Sequence, residues 1–206
     1  MQIYLRQNLV FLAVPKTGTT AVEMALRKHA DIVFAKSRKH LTAGQYHRKV
    51  APMLEDLWQA RPERMAVMRE PVEQIRSWFR YRARQAKRSG PLSTEGLSFD
   101  DFVRDVIRPD PPPHAAIGSQ LRFLSLADGS VPVDHLFAYE AQPRILAFLR
   151  ARFGADLDIA PRNVSPQVHA PLSPEVEQAL RAARADEFAL HERLRAAGGY
   201  LQPSSG

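Results

Sequence analysis

The chain has no cysteine among its 206 residues. This excludes disulfides, thiolate metal sites and a cysteine nucleophile, and it agrees with a reducing compartment. Long apolar runs are missing too. The longest, Leu9 to Val14, is far too short to span a bilayer. The N-terminus lacks the basic start, long apolar core and cleavage site of a secretion signal, so a cytoplasmic protein is expected. No metal-ligand cluster and no internal repeat is visible. No Gly-Lys pair occurs anywhere, so the triphosphate-binding loop G-x-x-x-x-G-K-[ST] is absent. What is present is an apolar fraction of 45% and a net charge of +7. The first fits one globular domain with a real core, expected over residues 1–200 with 201–206 as a flexible tail. The second favours a polyanionic partner, which could be nucleic acid, an acidic membrane surface or a phosphate-rich small molecule.

Three segments predict strands, each followed by a helical pattern: Leu9 to Val14, "RMAVMR" at 64–69 and "DHLFAYE" at 134–140. Ile32 to Phe34 adds a shorter one. Strand then helix, repeated, predicts an α/β fold with a central parallel sheet flanked by helices. Helices are expected in "QYHRKVAPMLEDLWQA", in "SFDDFVRDVI" with Ser98 as cap, and in "LSPEVEQALRAARADEFALHERL", where Ser173 caps and Pro174 takes the first position. "RPDPPPHAAIG" must be a loop, because three successive prolines suit neither a ladder nor a helix interior. Parallel sheets bind ligands at the carboxyl ends of their strands, which directs attention to residues just after 14, 34, 69 and 140.

The first of these places holds the turn Pro15-Lys16-Thr17-Gly18-Thr19-Thr20. Its lysine stands at the entrance, and the amides of its threonines face outward from a helix N-terminus, an arrangement suited to one anion. A capped strand-to-helix turn with an exposed lysine is the competing account. At the next strand end, Arg69 leaves the strand, Pro71 opens a helix, and Ser77 follows eight residues after Arg69. Arg69 and Ser77 could clamp a second phosphate, or Arg69 and Glu73 could form an ordinary salt-bridged helix start.

Together, in this order on consecutive strands, the PKTGTT turn and the Arg-x-Pro run with its later serine resemble the sulfotransferase superfamily, specifically its carbohydrate-type and bacterial members. The resemblance continues through "KHLTA" at 39–43, "SFDDFV", "QLRFL", "RNVS" and "LSPE…DEFALHERL". It implies a P-loop-type, nucleotide-kinase-like architecture and the donor 3′-phosphoadenosine 5′-phosphosulfate, with adenosine 3′,5′-bisphosphate as product. By that resemblance Lys16, Thr17, Gly18, Thr19 and Thr20 hold the 5′-phosphosulfate, Lys16 stabilises the leaving oxygen, and Arg69 and Ser77 grip the 3′-phosphate. No metal is implied. The acceptor is a hydroxyl compound, with a carbohydrate or lipid-linked glycan favoured over a small phenol, and contact with a membrane surface is compatible with the basic charge. Asn163 and Ser165 match a recurring Asn-x-Ser, either as part of the cofactor pocket or as a turn. The Arg-Lys-Gly-type closing loop of the soluble hormone and drug sulfotransferases has no counterpart here.

An acceptor hydroxyl benefits from a base. His40 is ranked first, because its "KH" loop resembles the one carrying the catalytic histidine in some glycan sulfotransferases. His114, which precedes Gln120 in a segment resembling the acceptor-side "H…Q" region, is the rival. Glu70 and Glu73 flank Arg69 and are expected to orient it. "FRYRARQAKR" at 79–88 interleaves basic residues with two aromatics, which raises a nucleic-acid-binding module as one alternative function. It continues the helix after Ser77, so a solvated basic face is the simpler account and no nucleic acid is expected. A nucleotide-kinase-like P-loop protein is the other alternative, weakened by the missing Gly-Lys and by the absence of an evident magnesium carboxylate.

Overall fold

A computed structural model describes residues 1–84, 90–154, 157, 159 and 170–202. Its six strands are β1 (Gln2–Tyr4), β2 (Leu9–Leu12), β3 (Ile32–Val33), β4 (Glu63–Met68), β5 (His135–Ala138) and β6 (Tyr200–Leu201). They form one sheet in the order β3-β1-β2-β4-β5-β6. The expected parallel arrangement holds at the centre, where β2 pairs with β4 and β4 with β5. It does not hold for the whole sheet, which is mixed: β1 runs antiparallel to both β2 and β3, and β6 antiparallel to β5. Strands of three and two residues are too short to carry a period, so β1 and β6 left no pattern to find. Leu201, expected in the tail, pairs with Leu136 in β6; residues 203–206 lie outside the described residues.

The helices are α1 (Thr19–Ala25), α2 (Ala43–Gln45), α3 (Ala51–Trp58), α4 (Pro71–Arg84), α5 (Phe99–Val106), α6 (Gln120–Leu124), α7 (Gln142–Phe153), α8 (Pro174–Ala183) and α9 (Ala185–Ala196). A π-helical segment, Tyr46–Val50, joins α2 to α3. Ser98 caps α5 as expected, its hydroxyl accepting from the Asp101 N–H. The long helix expected near the C-terminus is two helices, α8 and α9. Arg184 breaks it with φ −126° and ψ 34°, and Glu187 and Phe188 restart the pattern by donating to its carbonyl.

The strands read as unbroken apolar runs because both faces of the sheet are covered. Val10, Leu12, Ala66, Met68, Leu136 and Ala138 pack on one face against Leu54 of α3, Leu124 of α6 and Leu194 of α9. Leu9, Phe11, Met65, Val67 and Phe137 pack on the other against Val22 of α1 and Ile145 and Leu149 of α7. Leu9 and Phe11 are wholly buried, each stabilising the fold by about 1.5–3 kcal/mol. A satellite core joins α4, α5 and α8 through Ile75, Phe79, Phe102, Val103 and Leu180. Because β3 is antiparallel to β1, it runs the same way as β2, β4 and β5. Four strands therefore deliver their carboxyl ends to one edge.

Candidate functional site

At that edge the chain leaves β2 in a tight turn. The Val14 N–H folds back onto the Leu12 carbonyl at 2.9 Å, and the Thr17 hydroxyl donates to the Val14 carbonyl at 3.0 Å. Thr17 and Thr19 are both buried. Lys16 and Gly18 both take left-handed backbone, at φ 68° and 73°. The first short-range bond of α1 runs from the Ala21 N–H to the Gly18 carbonyl at 3.1 Å. Helix geometry leaves the N–H groups of Gly18, Thr19 and Thr20 without helical acceptors. A Cβ on Gly18 would sit 3.0 Å from Cε2 of Tyr139, so the site needs glycine for its conformation and for this close approach.

Tyr139, just beyond β5, links the turn to Arg69, whose guanidinium lies over the Tyr139 ring at 4.7 Å. Arg69 pairs with Glu73 at 3.5 Å, and its buried Nε has no hydrogen-bond partner among the described residues. Glu73 also holds Arg76. Glu70 accepts the Glu73 N–H at 2.8 Å and so caps the start of α4. Glu73 thus pairs with Arg69, while Glu70 serves the helix start. Ser77 lies one turn beyond Glu73 on the same face of α4, half-buried. The Lys16 ammonium is held against α4 as well, 3.2 Å from the Tyr81 ring centroid and 4.8 Å from that of Trp78. The Gln74 carboxamide donates to the Pro15 carbonyl at 3.2 Å, tying α4 to the turn.

The loop after β3 closes the other side. Nδ1 of His40 lies 2.6 Å from the Ala13 carbonyl. A carbonyl only accepts, so Nδ1 carries the proton and Nε2 of the neutral ring holds a lone pair. Burial lowers the imidazole pKa and the Lys39 charge adds to this, against the Ala13 hydrogen bond. Lys39 donates to the Thr20 hydroxyl at 3.3 Å and pairs with Glu23 at 2.7 Å. A cleft of about 330 Å³ adjoins the turn here, walled by Thr20, Met24 and Arg27 on one side and Phe34, Lys36 and Lys39 on the other.

The structure thus gathers Lys16 to Thr20, Arg69, Ser77 and His40 around one edge of the sheet. It does not bring His114 there: Nε2 of His114 meets Asp105 at 2.8 Å and its ring packs against Phe102 of α5. Gln120 faces Arg69 rather than an acceptor. Tyr139, Lys39 and the aromatic pair on α4 escaped the sequence reasoning. Tyr139 stands at the end of a predicted strand, Lys39 in the "KHLTA" segment and Tyr81 in the basic aromatic run, but none was assigned a place at the site. Asn163, Ser165 and residues 85–88 of the basic run lie outside the described residues. Among the described residues, no group of three or more histidine, aspartate or glutamate side chains could hold a metal ion, and no helix is long and apolar enough to cross a membrane. The edge offers amide N–H groups, an ammonium and a guanidinium, which suits anionic oxygens, and beside them an imidazole with an open lone pair. No protein-family model matches the chain, and neither a curated protein nor a solved structure matches it.

Proposed function

We propose that the chain is a sulfotransferase that moves a sulfuryl group from 3′-phosphoadenosine 5′-phosphosulfate to a hydroxyl acceptor, a carbohydrate or lipid-linked glycan. The observation that carries this is the union of two anion-seeking elements across Tyr139: the turn with its outward N–H groups, and Arg69 with a buried Nε that has no partner among the described residues. The residues present suit the donor, since an orphaned guanidinium nitrogen and helix-start N–H groups without helical acceptors are what a nucleotide with two separated anionic groups requires. The donor, when bound, supplies the sulfuryl group and a phosphate leaving group.

The chain's own groups then divide the work. The N–H groups of Gly18, Thr19 and Thr20 hold the 5′ oxygens. Arg69 and Ser77 hold the 3′-phosphate. Lys16, a cation on the same turn, meets the negative charge that grows on the leaving oxygen, and so favours the transition state over the ground state. His40 accepts the acceptor proton at Nε2, and its lowered pKa keeps that lone pair available at neutral pH. The cleft beside Thr20 and Lys39 is where the acceptor enters.

Thermal-shift titration with adenosine 3′,5′-bisphosphate, ATP and an oligonucleotide tests the assignment. The bisphosphate should give the largest stabilisation, followed by transfer of radiolabelled sulfate to members of a glycan panel. A larger shift with ATP would point to a kinase-like protein, and a larger shift with the oligonucleotide to a nucleic-acid-binding module.

A further inference from the structure

Gln120 opens α6, yet its side chain leaves that helix and turns inward, with 1% of the residue exposed. Its carboxamide engages the main chain of one residue from both sides. The Arg69 N–H donates to Oε1 at 2.9 Å, and Nε2 donates to the Arg69 carbonyl at 2.8 Å. β4 ends at Met68, so Arg69 has left the ladder, and the carboxamide does for it what a neighbouring strand does for the residues before it. Gln120 is held in its turn. Glu187 of α9, 2% exposed, accepts from the Gln120 N–H at 3.1 Å and from its Nε2 at 3.4 Å. An ionised carboxylate only accepts, so Glu187 dictates which end of the carboxamide is NH₂ and which is oxygen. Arg184 partners the buried carboxylate at 3.5 Å and donates to the Gly118 carbonyl at 2.9 Å. Both hydrogen-bonding ends of the Gln120 carboxamide are thereby committed to the backbone of Arg69.

We infer that Gln120 and Glu187 are positioning residues, which fix the backbone of Arg69 so that its guanidinium lies over Tyr139 beside the turn. Arg69 can discriminate a 3′-phosphate only while they hold it. A buried carboxylate is costly, and a fixed arginine is what it secures here. The inference rests on the proposed binding of the 3′-phosphate by Arg69.

The test is calorimetric titration of the full chain with adenosine 3′,5′-bisphosphate and with adenosine 5′-monophosphate, which lacks the 3′-phosphate. The wild-type protein, Gln120→Met, Arg69→Ala and the double variant are compared. Methionine keeps the shape and removes both bonds to Arg69. The preference for the bisphosphate should fall about tenfold in Gln120→Met, with monophosphate affinity nearly unchanged. In the Arg69→Ala background Gln120→Met should change the preference no further, an outcome that general loosening of the fold would not produce. Should Gln120→Met not fold, Gln120→Glu replaces it: it keeps a carboxylate oxygen near the Arg69 N–H, loses the donor, and sets a second carboxylate against Glu187. Its loss of preference should be partly restored by adding Glu187→Gln. A folded Gln120 variant with the wild-type preference, or one that weakens both ligands equally, overturns the inference. A wild-type protein with no preference overturns the assignment of Arg69, and the inference falls with it.

Discussion

Replacing Arg69 with alanine separates a phosphate clamp from a helix-start salt bridge. The arginine makes three contacts of different worth. Its ion pair with Glu73 is long, at 3.5 Å, and Glu73 keeps Arg76 as a partner, so the substitution strands no carboxylate. Its stacking on Tyr139 is worth about 0.5–1 kcal/mol at a partly exposed position, which for a chain of this length lowers Tm by roughly 1–4 °C. The third is the one the proposed function assigns to it, with the 3′-phosphate of the ligand. A charge-assisted hydrogen bond contributes about 1.5–3 kcal/mol, or roughly ten- to a hundred-fold in affinity. Arg69→Ala should therefore lose adenosine 3′,5′-bisphosphate by that factor while binding adenosine 5′-monophosphate almost as before, both read by isothermal titration. Arg69→Lys should recover only part of the loss, because an ammonium keeps the charge and forfeits the planar fork. Ser77→Ala should show the same selectivity at smaller size. Equal losses for the two ligands, or none for either, would refute the clamp.

Lys16→Ala removes the charge that the proposed function sets against the leaving oxygen, and turnover should fall roughly a hundred- to a thousand-fold while bisphosphate binding changes far less; radiolabelled transfer alongside titration checks both. His40→Ala should lower turnover with bisphosphate affinity intact. The folded pKa of His40 is lowered, chiefly by burial, so the ring protonates and activity drops only as pH falls below the ordinary value of about 6.5. That acidic limb should vanish in His40→Ala and persist in His114→Ala; the opposite pattern would move the base to the proline-rich loop. Gly18→Ala forces a side chain onto φ 73° and against Tyr139, costing about 1–2 kcal/mol for the left-handed backbone. A melting scan should show Tm lower by roughly 2–8 °C, and bisphosphate affinity should fall with it; an unchanged Tm would show that the turn tolerates a side chain.

The parts of the fold that were legible are those with long or chemically marked patterns. Leu9 to Leu12 reads as a strand covered on both faces because its apolar run does not alternate, and Pro71 and Ser98 announce helix starts through the backbone chemistry of proline and the capping hydroxyl. The break between α8 and α9 was not legible, because Arg184 is an ordinary helix former and yields to the buried pairing with Glu187. His40 and His114 were equal candidates as residue types. Only their surroundings separate them: one ring is oriented by the Ala13 carbonyl at the strand edge, the other is tied to Asp105 of α5.

The sequence by itself determined the central strands, the turn between β2 and α1, and the cations at the strand ends, because each depends on neighbours within one helical turn or one strand. The tertiary structure alone decided how those cations are held. Tyr139 comes to Arg69 from β5, Gln120 reaches it from 51 positions away, and Glu187 fixes Gln120 from 67 positions further on. At such separations no local periodicity exists to record a contact, and only the packing of sheet and helices brings the groups within hydrogen-bonding distance.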